Sequence, residues 1–196
     1  MASNGQLPPD WDMGVLFKTL QNFGDSSTAS ALAQLQGPYK YYSTMALAEL
    51  QGGEGVTALV QETQGTSAAQ RDFAYQMLAQ VAADFPDAGA ALLEKAKANQ
   101  ISDSAWVKIA TGLAGDQYQI GEPPQMGRVD PASIVGLKTF HIGSGNQNFY
   151  SLPLDGNAQI QQRLALVDEL AGATSSPAAL SALQASRATL NTMMSK

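Results

Sequence analysis

The sequence contains no cysteine, and His141 is its only histidine. The absence of thiols excludes disulfides, thiolate zinc sites and cysteine nucleophiles. One imidazole by itself does not complete a histidine zinc site, so any bound metal would need oxygen ligands. No motif in the sequence indicates a specific chemistry either, so we expect no catalytic residue, no cofactor and no metal site.

Charge is also scarce, at 14% of residues against roughly 25% in typical soluble domains. The 11 lysines and arginines are scattered singly, and the formal net charge is −6. Nucleic acids and anionic lipid surfaces are bound by clustered cations, which the chain lacks. No apolar run approaches the roughly 18 residues that a transmembrane helix needs. We therefore expect neither nucleic-acid binding nor direct membrane insertion of this segment.

The start of the chain carries no basic region followed by an apolar stretch, so no signal peptide is expected in it. Low lysine content, the lack of cysteine and abundant neutral polar residues favour an extracytoplasmic bacterial setting, periplasmic or secreted, over the cytoplasm. The chain is expected to be the soluble part of a larger bacterial protein.

A spacing of 31 residues relates three anchor tetrads, Leu47–Leu50, Leu78–Val81 and Ile109–Gly112. A second pair of anchors, Leu59-Val60 and Leu92-Leu93, recurs after 33 residues. Periods of this length are typical of helix pairs that bury their apolar faces only by stacking on the next pair. The pattern predicts an all-α fold, a short right-handed α-α superhelix.

The chain is expected to form a single domain. Glycine, proline and capping residues divide this domain into three parts. Residues 14–115 form the predicted repeat stack, 116–157 an irregular insertion, and 158–196 a C-terminal helical hairpin. The insertion contains two apolar stretches around a glycine-rich turn, which fit either a small β-hairpin or a structured loop.

Individual helices follow from apolar spacing and caps. Asp25 to Thr28 supply an N-cap, and the strongest helix runs from residue 68 to 84, with inward residues Phe73, Ala74, Met77, Leu78 and Val81. Pro86 is expected to end this segment and Asp87 to cap the next helix. In the last helix, 177–194, Ser176 is the predicted cap, and the inward residues are Leu180, Leu183, Leu190 and Met194.

The pairs Thr44–Leu50 with Thr57–Val60, and Phe73–Val81 with Ala91–Leu93, resemble HEAT-type repeats. The resemblance covers about residues 14–115. It implies a protein-binding scaffold without catalysis of its own.

Five residues are candidate partner-binding positions: Tyr39, Lys40, Tyr41, His141 and Asn146. Tyr39 and Tyr41 fall off the predicted inner face, and tyrosine is enriched at recognition surfaces. Lys40 lies between them. His141 and Asn146 flank the glycine-rich turn of the insertion, which lacks the lysine ending of a phosphate-binding loop.

Carboxylates are scattered and do not form an obvious acid–base pair. Asp84 and Asp87 fit helix ends and caps, and Asp168 and Glu169 fit a solvated helix face.

Three functions remain open from the sequence. The first is a non-enzymatic protein–protein interaction or scaffold module, which the period favours. The second is a small-ligand-binding or hydrolytic domain that uses residues 116–157, because long irregular segments in compact domains are usually functional. The third is a structural module of an oligomer, and the oligomeric state is left open.

Overall fold

The structure is a computed structural model that describes residues 19–20, 23–36, 40–114 and 157–194, with the backbone alone for residues 41 and 42. Eight helices lie within these ranges: α1 Ser26–Ala33, α2 Lys40–Ala48, α3 Val56–Glu62, α4 Ala68–Val81, α5 Pro86–Lys97, α6 Asp103–Ala114, α7 Asn157–Gly172 and α8 Pro177–Met194. The described residues are therefore all-helical outside their turns, which confirms the all-α prediction. The predicted β-hairpin and nearly all of the predicted insertion lie outside them.

The helices pack in two rows. Helices α2, α4, α6 and α8 contact one another in that order, and α1, α3, α5 and α7 do the same. The most extensive contact joins α4 to α6, followed by α6 to α8. Contacts of α3 with α4 and of α7 with α8 connect the rows, so the core runs between them.

Residues 73–81 of helix α4 are all buried. Its predicted inward residues, listed above, are all buried, which confirms that face. The opposite face is buried as well, including Tyr75, Gln76 and Gln80. Four helices, α2, α3, α5 and α6, surround this part of α4, so Gln76 and Gln80 also lose contact with water.

Hydrogen bonds confirm the predicted caps Asp25 and Ser176, and Ser102 forms a third cap. Asp25 Oδ1 accepts from the backbone N–H groups of Ser27 at 2.9 Å and Thr28 at 3.0 Å. Ser176 Oγ accepts from the N–H of Ala179 at 3.3 Å at the start of α8. For α6, Ser102 Oγ accepts from Ala105 N–H at 3.2 Å. These side chains satisfy N–H groups that have no partner within the first helical turn.

Three sequence predictions are wrong at helix boundaries and faces. Helix α4 ends at Val81, and Pro86 begins α5 because proline, which has no N–H, suits the first helical turn. Phe85 is the N-cap residue of α5, so Asp87 lies in the first turn instead of capping it. Leu180 is 40% exposed, since the buried face of α8 runs through Ala179, Leu183, Ser186 and Leu190.

A glycine permits the close contact of α4 with α6. A Cβ atom at Gly112 would lie 2.4 Å from the backbone oxygen of Gln76 and 3.0 Å from Ala79 Cβ. Only a residue without a side chain lets the two backbones approach to this distance.

Within the described ranges, no helix combines the length and hydrophobicity needed to cross a membrane.

Candidate functional site

The predicted partner-binding residues are only partly within the described structure. Tyr39, His141 and Asn146 lie outside the described residues, and Tyr41 is described by its backbone in α2 alone. Lys40, the first residue of α2, is fully described. Their role in partner binding stays a prediction.

Lys40 is only 5% exposed and lies in a buried polar cluster. Its ammonium group forms an ion pair with Glu62 Oε1 and lies 3.4 Å from the carbonyl oxygen of Ala33. The other carboxylate oxygen of Glu62 accepts a hydrogen bond from the Thr44 hydroxyl at 2.8 Å. The cluster therefore ties the start of α2 to the end of α3 and to the end of α1.

An open space of about 270 Å³ adjoins this cluster. Its polar lining includes Lys40, Glu62, Gln36, Gln61 and Gln70. The ion pair has a net charge of zero, and the glutamine amides both donate and accept hydrogen bonds. This space can accommodate neutral polar groups.

Arg163 on α7 forms a second buried polar cluster and is only 1% exposed. Its Nη1 donates to the carbonyl oxygens of Gly112 at 2.8 Å and Leu113 at 3.0 Å, and its Nη2 donates to that of Gln80 at 2.5 Å. Gly112 and Leu113 lie in the last turn of α6, and Gln80 lies in the last turn of α4. One guanidinium group thus satisfies terminal carbonyl oxygens of two neighbouring helices, whose last turns contain no basic residue.

Burial lowers the pKa of Arg163 to about 10, an effect that the negative charges of Asp84 and, less strongly, Glu49 oppose. The side chain therefore stays positively charged at neutral pH. Asp84 in turn accepts a hydrogen bond from the Gln159 amide at 3.0 Å. The cluster holds α7 against the ends of α4 and α6.

Sequence reasoning missed Arg163, although its position carried a signal. Ile160, Arg163, Val167 and Leu170 are the buried residues of α7, at the three- and four-residue steps of a single helical face. A positively charged residue at the same helical spacing as the apolar residues is expected to be buried with them, and a buried charge needs specific partners.

The third feature is an open groove of about 350 Å³ between α6 and α8, called here the α6/α8 groove. Its lining residues are all uncharged: Val107, Ala110, Thr111, Ala114, Ala178, Ser181, Ala182, Ala185, Ser186 and Thr189. The hydroxyl groups of Thr111 and Thr189 donate to the carbonyl oxygens of Val107 at 2.9 Å and Ala185 at 3.2 Å. The hydroxyl of Ser186, a residue that is 3% exposed, has no hydrogen-bond partner among the described residues.

The described residues bring together no group of three or more histidine, aspartate or glutamate side chains that could hold a metal ion. The expected solvated face on α7 is present, since Asp168 is exposed and pairs with Arg187 of α8 at the surface.

Comparisons of the chain with protein-family models, with curated proteins and with solved structures find no significant match.

Proposed function

We propose that this chain is a non-enzymatic scaffold of HEAT-like helix pairs, wound as a short right-handed superhelix, that binds a protein partner. The observation that carries the proposal is the order of the two rows, in which every second helix packs on the next. Stacked pairs of this kind present long, regular surfaces, which repeat proteins use for recognition.

The 31-residue period supports the repeat interpretation at the level of side chains. Leu47, Leu78 and Ile109 occupy the same position in three successive periods, and all three are buried. Glu49 and Gln80 are also equivalent, and Gln80 Nε2 donates to Glu49 Oε1 at 3.4 Å. Contacts between equivalent positions are expected when copies of one unit stack with a regular displacement.

The tyrosines at positions 39 and 41 are our preferred partner contacts. They flank Lys40, whose buried ion pair with Glu62 fixes the start of α2. A contact surface on a fixed backbone loses less conformational freedom when it binds. In this proposal Lys40 fixes the start of α2, while the tyrosine rings meet the partner.

Site-specific photo-cross-linking tests this function. The photoreactive residue p-benzoyl-phenylalanine replaces Tyr39 or Tyr41 in the full chain, and the control replaces Glu94, which is exposed on α5. We expect one discrete protein adduct from positions 39 and 41 and none from position 94. The purified partner must then bind the wild-type chain and lose at least about ten-fold in affinity to Tyr39→Ala/Tyr41→Ala, as for recognition hot spots. Equal adducts from all positions, or none, would overturn the proposal.

The alternative function, a small-ligand-binding or hydrolytic domain, was predicted from residues 116–157, which include His141 and Asn146. Those two residues lie outside the described structure. Within the described residues, the observation that favours a small ligand is the α6/α8 groove.

A further inference from the structure

We propose that the α6/α8 groove binds a small, uncharged and mainly apolar molecule, and that the Ser186 hydroxyl forms a hydrogen bond to the single polar group of this ligand. The site is independent of the protein-partner surface proposed above, because its residues belong to α6 and α8 and not to the start of α2.

The first argument is the hydrogen-bonding state of Ser186. Buried hydroxyl groups nearly always have a hydrogen-bond partner, because their desolvation is otherwise uncompensated. Thr111 and Thr189, which line the same groove, satisfy their hydroxyl groups with carbonyl oxygens of their own helices. Ser186 does not do so in the described structure, and it lines the groove. The hydroxyl oxygen itself is almost fully buried, so a ligand group that reaches it from the groove would meet both a donor and an acceptor.

The second argument concerns the charge of the ligand. None of the ten described residues that line the groove is ionisable. A charged ligand would lose part of its hydration there without meeting an opposite charge. The groove therefore selects for uncharged molecules.

The third argument is size and shape. The volume of about 350 Å³ lies near the lower end of the roughly 300–1,000 Å³ found for small-molecule sites. The space exists because alanine, serine and threonine occupy nine of the ten lining positions, and Val107 supplies the one larger apolar side chain. A compact molecule of about one ring, with an apolar body and one hydroxyl or carbonyl group, suits this lining.

Protein-observed NMR titration of the full chain tests the site with three matched probes. Benzyl alcohol has an aromatic ring and a hydroxyl group, toluene lacks the hydroxyl, and benzoate carries a negative charge. We expect benzyl alcohol to shift backbone amide signals of α6 and α8, and to bind about three- to ten-fold more tightly than toluene, the range for one hydrogen bond. Benzoate is expected to bind more weakly than benzyl alcohol.

Variants distinguish the contribution of the Ser186 hydroxyl to probe affinity from that of the open volume of the groove. Ser186→Ala should reduce benzyl alcohol affinity by about three- to ten-fold and leave toluene affinity unchanged. Ala182→Leu should fill the groove and abolish binding of both probes, and Ala178→Leu, at an exposed lining position, provides a second filling variant if Ala182→Leu does not fold. Ala188→Leu is the matched control, since Ala188 is exposed on the same helix and does not line the groove.

Four results would overturn the proposal: no shifts in α6 and α8 with any probe, undiminished binding to both filling variants, Ser186→Ala binding benzyl alcohol as the wild type does, or benzoate binding as tightly as benzyl alcohol. None of these results bears on the cross-linking at positions 39 and 41, so the two proposals fail separately.

Discussion

The Nη1 group of Arg163 donates to the carbonyl oxygen of Gly112 at 2.8 Å, at the place where the backbone of Gly112 lies against that of Gln76. The same glycine thus allows α6 to approach α4 and offers its carbonyl oxygen to α7. Three helices from three parts of the sequence meet at this residue, so a side chain added there should disturb all three.

Gly112→Ala should lower the free energy of unfolding by about 1–3 kcal/mol, because the new methyl group would collide with the Gln76 carbonyl oxygen and force α4 and α6 apart. Gly172→Ala is the matched control, since a Cβ at Gly172 meets nothing within 4 Å. That control should be neutral or gain up to about 1 kcal/mol from its better helix propensity. Urea unfolding followed by circular dichroism measures both changes, and equal stabilities of the two variants would contradict the close packing.

Arg163→Met should lower the free energy of unfolding by about 3 kcal/mol or more, because three buried carbonyl oxygens at the ends of α4 and α6 lose their donor. Arg163→Lys keeps the charge but not the planar guanidinium group that spans both helices. Its free energy of unfolding should therefore lie between those of wild type and Arg163→Met. Chemical denaturation at pH 7 orders the three proteins. A fully stable Arg163→Met variant would show that the guanidinium does not hold α7 in place.

Lys40→Met should destabilise the fold by about 3–5 kcal/mol, because it leaves the buried Glu62 carboxylate without its cation. The double variant Lys40→Met/Glu62→Leu removes both charges and should recover most of this loss. The measurement is a double-mutant cycle of unfolding free energies. Additive losses from the two substitutions would mean that the pair is not coupled as its geometry implies.

Ser186→Ala should raise the unfolding free energy by about 1–2 kcal/mol, because it removes a buried hydroxyl that has no partner among the described residues. Ser43→Ala is the control. Ser43 is also buried, but its hydroxyl donates to the Lys40 carbonyl oxygen at 2.7 Å, so that substitution should cost about 1 kcal/mol. The decisive result is that the two substitutions change the free energy of unfolding in opposite directions. A loss at Ser186 would assign its hydroxyl a structural role instead.

Alkaline pH tests the burial of Tyr75. Burial raises the pKa of its phenol above the ordinary value near ~10, so the unfolded chain loses this proton before the folded chain does. The contribution of this pKa difference to the stability of the folded chain is complete below about pH 10. It is lost as the pH rises towards the pKa of Tyr75 in the folded chain. Tyr75→Phe should therefore lose stability less steeply than wild type as the pH rises above about 10. Arg163, whose pKa is lowered, acts with the opposite sign in this range in both proteins, so the difference between their slopes isolates Tyr75. Identical slopes would contradict the raised pKa.

Part of the fold was predictable because helix caps and apolar spacing act locally. Asp25 and Ser176 cap the helices at which the sequence placed them, and the inward face of α4 is the predicted one. The prediction for Leu180 was wrong for a physical reason. Successive residues on a helix point about 100° apart, so Leu180 and the buried Ala179 lie on different faces of α8. The neighbouring helices decide which of these faces is covered.

The candidate sites were much less predictable. The role of Lys40 as a contact residue stays a prediction from its tyrosine neighbours. Its ion pair with Glu62, 22 positions away in the chain, could not be read from those neighbours. Arg163 and Ser186 each belong to helices whose existence the sequence indicated. Neither the partners of Arg163 nor the unsatisfied hydroxyl of Ser186 can be read from local spacing, because these depend on helices distant in the chain.

The sequence by itself determined the helical class, the 31-residue period and the caps at Asp25 and Ser176, since each follows from the order of residues along the chain. Only the tertiary structure decided that residues 73–81 of α4 are buried on all sides and that Arg163 spans the ends of α4 and α6. It also decided that the Ser186 hydroxyl, at the α6/α8 groove, has no hydrogen-bond partner among the described residues. The physical reason is that periodicity shows which face of a helix is apolar, whereas burial of the other face and hydrogen bonding of its polar groups depend on what packs against them.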